Sequence, residues 1–78
     1  MKSNKVNNIS NIQIRISRNI RRIRNEKKIS QEELGFRSNI HRNFLWAIER
    51  CEKSLSLRSL EKIANGLKVE IIDLFKED

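Results

Sequence analysis

The 78 residues include one cysteine, no proline, no tyrosine and only two glycines, and each shortage removes a class of structure. A lone thiol, Cys51, cannot close an intramolecular disulfide, so the fold must be held by packing, as in a reducing compartment. Scarce glycine and absent proline argue against a turn-rich all-β chain. No apolar run approaches the ~20 residues of a membrane span, and no signal-peptide pattern opens the chain, so a cytoplasmic protein without a membrane partner is expected. His41 has no companion at metal-ligand spacing, and Cys51 has no catalytic neighbour. With no nucleophile elbow or glycine-rich phosphate cradle, the expectation is no metal, no cofactor, no small-molecule substrate and no enzymatic activity.

What the chain does have is positive charge. Seventeen Lys and Arg against ten Asp and Glu give +7 and a pI near 10.2. Residues 1–50 hold twelve basic and four acidic side chains, whereas residues 51–78 hold five and six. A basic half joined to a near-neutral half points to one surface facing a polyanion and another facing something else. Nucleic acid is the commonest such polyanion, because each neutralised phosphate releases condensed counterions; a basic surface with no partner is the plainer alternative.

Hydrophobic spacing organises the rest. Residues 1–8 read as a flexible polar segment and 9–78 as a single domain. Ile16, Ile20 and Ile23 mark a first helix to about Lys27. Ile12-Gln13-Ile14-Arg15-Ile16 alternates like a strand, but Ile9, Ile12 and Ile16 also share a helix face. The helix is preferred, because a lone strand would lack a partner. Ser30 with Glu33 forms a capping-box pattern, opening a second helix to about Arg37. Ser38-Asn39-Ile40 breaks it, and Asn39 tolerates the left-handed backbone a turn requires. A third helix, about Arg42 to Arg50, would bury Phe44, Leu45 and Ile48. Ser56 can cap a fourth with the stripe Leu60, Ile63, Ala64 and Leu67. A short fifth, about Ile71 to Lys76, carries Ile71, Leu74 and Phe75. The expectation is all-α: five short helices sharing one core.

Residues 31–50 have the layout of a helix-turn-helix, with Gly35 where the two helices approach and a Cβ would intrude. Ser30-Gln31-Glu32-Glu33-Leu34-Gly35, then Ile40, then Ile48-Glu49-Arg50, resembles the Cro/CI-type (Xre) phage-repressor family. Its pattern reads approximately Ser-Gln-x-x-Leu-Ala, Gly-Val, Ile-Glu-Arg-Gly. Leu60-Glu61-Lys62-Ile63-Ala64 and Leu74-Phe75 are similar to its fourth and fifth helices, so the resemblance covers about residues 16–75. Phe36 and Ile40-His41-Arg42-Asn43-Phe44 resemble the aromatic and Leu-x-Arg-Thr-Tyr pattern of restriction–modification controller proteins. The chain departs from the pattern at Gly35 (usually Ala, about 1 kcal/mol of helix propensity), Asn39 and Cys51 (both usually Gly), Asn43 (Thr) and Trp46 (a small polar residue). The changes at Asn43 and Trp46 imply a different DNA sequence preference.

The resemblance implies a phage-repressor-like regulator that binds a palindromic operator in double-stranded DNA as a homodimer. With residues 44, 45 and 48 buried, Arg42, Asn43, Trp46, Ala47 and Arg50 share the opposite face of the third helix. Arg42 suits guanine, Asn43 adenine and Ala47 a thymine methyl. Trp46 either lies against sugars and methyls or folds onto Phe44 or Arg50. Gln31, Arg37, Arg50 and Lys53 are candidate phosphate contacts or simply solvated. His41 reads as a helix-start or phosphate-side residue. The resemblance further places Arg24 and Glu49 as a partly buried ion pair tying the first helix to the third. Val69, Ile72 and Phe75 are the candidate dimer interface, with Phe75 alternatively closing the monomer core. A competing reading is an antitoxin or adaptor whose helix-turn-helix docks a protein, and a third is non-specific nucleoid or RNA binding.

Overall fold

The computed structural model describes residues 10–77; the polar segment 1–8 and Ile9 lie outside the described residues. Four α-helices run Asn11–Glu26 (α1), Gln31–Ser38 (α2), Arg42–Glu49 (α3) and Leu57–Leu67 (α4), with a 3-10 turn at Ile71–Leu74. No strand occurs among the described residues, so the alternating Ile12–Ile16 stretch is helical.

The expectation of five helices is corrected to four, with a single 3-10 turn in place of the fifth. Tertiary hydrogen bonding supplies the reason. The buried Asn19 side chain on α1 donates Nδ2 to the Leu74 carbonyl at 2.9 Å and to the Lys76 carbonyl at 2.8 Å. Those acceptors are drawn toward α1, and a reciprocal Glu70–Asp73 capping box tightens the turn from its other end. Lys76 and the Glu70 amide hold the Asp73 carboxyl below its ordinary value of 3.8.

Each α-helix begins on a side-chain acceptor. Ser10, Ser30 and Ser56 accept from the amides of Gln13, Glu33 and Ser59, and His41 Nδ1 accepts from the Asn43 amide at 3.0 Å. At Ser30 the Glu33 carboxylate accepts from Arg37 Nε one turn on, at 2.8 Å.

The helix ends are also uniform. Lys28, Asn39, Cys51 and Lys68 all sit at φ of 58–62°, in the left-handed region. In every case that residue's amide bonds three residues back, and the next amide bonds five back: Cys51 to Ile48 and Glu52 to Ala47, for example. This is the Schellman arrangement, built four times without glycine.

The two glycines serve packing instead. A Cβ on Gly35 would stand 2.6 Å from the Ile40 carbonyl oxygen, so the close approach is to the α2–α3 turn itself. A Cβ on Gly66 would collide with Ser38 Oγ, which lets α4 lie directly on the end of α2. Around that contact Ile20, Leu34, Leu45, Ile48, Ile63 and Leu67 are fully buried, one core shared by all four helices.

Candidate nucleic-acid interface

The α3 stripe predicted to be buried does face the core: Leu45 and Ile48 are fully buried and Phe44 packs half-buried against them. The opposite side therefore points outward. Arg42 and Asn43 are exposed, Trp46 is 47% exposed, and Ala47 is half-buried beside them. An open groove between the start of α2 and α3 is lined by Ser30, Gln31, Glu32, Arg42, Asn43 and Trp46. Gln31 thus joins the α3 side chains on one concave surface. Arg37 and Lys53 do not line that groove.

The electrostatics of this surface are loosely held. Arg42 Nη1 stands 3.7 Å from Glu32 Oε1 with both side chains well exposed, a screened pair easily exchanged for a stronger acceptor. Arg37 is paired with Glu33 along α2. The Arg50 guanidinium lies over the Trp46 ring, 4.7 Å from its centroid, and its Nε donates to Glu52 at 2.8 Å. Of the alternatives open for Trp46, the free chain adopts the fold onto Arg50, which covers part of an otherwise exposed indole. Lys53 is exposed, and its backbone carbonyl accepts from Gln13 Nε2 at 3.4 Å.

Beneath the surface lies a rigid hub. Glu49, only 5% exposed, accepts from Arg24 through two parallel bonds, Nε at 2.8 Å and Nη2 at 3.1 Å. Arg24 Nη1 also donates to the Ile29 carbonyl at 2.9 Å. Gln31 Nε2 donates to Glu49 Oε1 at 3.0 Å, so one carboxylate ties α1, α2 and α3 together. Gln31 was singled out as a phosphate contact; its grip on Glu49 escaped sequence reasoning, since nothing in the spacing of residues 31 and 49 signals it. His41, expected at a helix start or beside a phosphate, is the side-chain cap of α3.

Other exposed features adjoin this groove, sharing Glu32 and Arg42 with it, or lie beyond it. Phe36 is 83% exposed and flanks a second shallow groove with Gly35, Asn39, Ile40 and His41. At the carboxyl end Ile72 is 64% exposed, whereas Val69 and Phe75 are half-buried against the core. Among the described residues no His, Cys, Asp and Glu gather in a group able to hold a metal, and no helix is long and apolar enough to cross a membrane.

Two short helices held at a fixed angle by a left-handed turn, the second presenting a polar face, define a helix-turn-helix domain. Residues 20–74 match the helix-turn-helix family, and the chain belongs to it, in the Xre-type branch that includes restriction–modification control proteins. Control protein C.BamHI of Bacillus amyloliquefaciens is 38% identical over 66 residues, covering 83% of this chain and 82% of that one. Among solved structures, the wild-type restriction–modification controller protein C.Esp1396I has a TM-score of 0.80 at 38% identity, covering 85% and 86% of the two chains. Controller protein C.AhdI of Aeromonas hydrophila has a TM-score of 0.78 at 32% identity, covering 81% and 96%. C.Esp1396I has been solved bound to a 19 base-pair DNA duplex and as a tetramer on its natural 35 base-pair operator.

Proposed function

We propose that the chain is a cytoplasmic, sequence-specific transcription regulator of the restriction–modification controller type, binding a palindromic operator in double-stranded DNA as a homodimer. The observation that carries this reading is the groove in which Gln31, Arg42, Asn43 and Trp46 converge at the start of α2 and along α3. Arg42 and Asn43 are the base-reading side chains, with Ala47 and Trp46 against thymine methyls or sugars. Gln31, Arg37, Arg50 and Lys53 meet phosphates, which set register without reading sequence. The relative solved on operator DNA supports the same use of this fold.

One domain of this size reads only a few base pairs, so pairing is functionally required. Ile72, with Val69 and Phe75 at its margins, is the apolar patch offered to a second copy, and a two-fold there would set the α3 helices about 34–36 Å apart. The activity is binding rather than catalysis. Selection of bound sequences from random duplex DNA tests the whole reading. A single palindromic motif is expected; unpatterned recovery would mean charge-driven binding, and no recovery would turn the reading toward a protein-docking antitoxin or adaptor.

A further inference from the structure

The positive charge is most concentrated away from the groove. Seven of the fourteen residues 15–28 are Lys or Arg, and one is acidic. Three of the arginines are accounted for inside the chain. Arg15 pairs with Glu77, Arg22 with Glu26 and the Asn19 side chain, and Arg24 with Glu49. Arg18 and Arg21 have no carboxylate partner among the described residues, and both are exposed.

Their placement is ordered. Ile16, Ile20 and Ile23 fill the buried side of α1, while Arg18, Arg21 and Asn25 are all exposed, at the three- and four-residue spacing of one helix face. From Arg18 to Asn25 that face is about 10 Å long. It is also joined to the recognition surface. A groove lined by Arg18, Arg21, Arg22 and Asn25 runs beside Glu49 and Cys51, where α3 ends. Glu49 is the carboxylate that Gln31 holds from the start of α2. A duplex engaged along α3 that continues past Cys51 therefore passes Arg18 and Arg21, neither of which has a carboxylate partner among the described residues.

We infer that the exposed α1 face, through Arg18 and Arg21, is a second phosphate-binding surface for the DNA backbone flanking the sequence-read site. This rests on the proposed DNA-binding function and extends it beyond α2 and α3. The occupant follows from charge complementarity: a periodic polyanion matches two exposed guanidinium groups one helical turn apart with no carboxylate partner among the described residues, and neutralising each phosphate releases counterions. The contact sees no base edges, so it adds affinity without discrimination.

The test uses the full chain and two duplexes carrying the selected motif, one trimmed to the motif and one extended by about one helical turn of arbitrary sequence on each side. R18A/R21A and the charge-conserving R18K/R21K are compared with wild type, each checked for native circular dichroism and melting temperature. On the extended duplex R18A/R21A is expected to flatten the log affinity–log salt slope by about 0.9 per lost phosphate contact, or about 1.8 per subunit. R18K/R21K keeps the wild-type slope, and all three proteins bind the trimmed duplex alike with the same preference among sequences. An unchanged slope for R18A/R21A on the extended duplex overturns the inference, as does an equal loss on both duplexes. The same slopes on motif-free DNA of both lengths decide the α1 question even if the wild-type chain shows no sequence preference, which would overturn the operator reading alone.

Discussion

The α2–turn–α3 segment and the 3-10 turn at the carboxyl end both lie on the surface, yet they expose opposite chemistry by opposite means. In the first, a buried carboxylate and a left-handed asparagine lock the backbone, and the exposed side chains are polar and loosely paired. In the second, the backbone is drawn onto α1 by Asn19, and one large apolar side chain, Ile72, is left in solvent between half-buried neighbours. A rigid frame with exchangeable polar side chains suits a partner that presents hydrogen-bonding edges and phosphates. A small apolar prominence suits a partner that presents the same surface in return.

The sharpest way to break that contrast is to charge the apolar end. Ile72→Glu is expected to give a folded monomer in sedimentation velocity, with operator affinity falling toward non-specific binding, about 10³-fold or more. A variant that still sediments as a dimer places the interface elsewhere and removes the functional half of the comparison. Next in size is the hub. Arg24→Ala leaves Glu49 buried with Gln31 as its remaining side-chain donor and should cost about 3–5 kcal/mol in chemical denaturation. A loss below about 1 kcal/mol would show that the carboxylate is not what locks the frame.

On the recognition face itself, Arg42→Ala is expected to cost on the order of 1–3 kcal/mol on the preferred operator and to relax discrimination at one base pair. Its pair with Glu32 is too exposed for the change to disturb folding, so the melting temperature should hold. Equal weakening on every sequence would instead make Arg42 a backbone contact. Cys51→Gly should go the other way and raise stability by about 1 kcal/mol, since a β-carbon in the left-handed conformation is strained and glycine is not. The smallest effect lies at the carboxyl turn. Asp73 has a lowered folded-state pKa, so its contribution is complete above the ordinary value near 3.8 and is lost as pH falls through the lowered one. Acid unfolding of Asp73→Asn should therefore be less steep than wild type below about pH 4.

The hub and the turn show how unevenly the structure was legible. The helix starts could be read because serine followed by a periodic apolar run has one local use, supplying an oxygen to amides left bare by the helix. The α3 face was legible for a similar reason: burying three positions on a short helix decides which others look outward. The helix ends were not. Of the four left-handed residues, Asn39 is of a type that advertises the conformation, while Lys28, Cys51 and Lys68 are ordinary residues held there by hydrogen bonds. For Trp46 two orientations were equally open, and proximity to Arg50 selected between them.

What the sequence determined by itself is therefore the set of helices α1 to α4, their buried stripes, the basic amino-terminal half and the outward face of α3. All of these follow from periodicity, composition and contacts within a few residues. Only the tertiary structure decided that the last segment is a 3-10 turn, that Gln31 serves Glu49, that Val69 and Phe75 pack inward while Ile72 does not, and that the arginines of α1 border the end of α3. Each of these depends on groups distant in the chain, as when Asn19 donates to the Leu74 carbonyl or Gln31 to the Glu49 carboxylate, in competition with the local partners each could otherwise take. Such competition is settled by the packed arrangement as a whole, and local spacing carries no record of it.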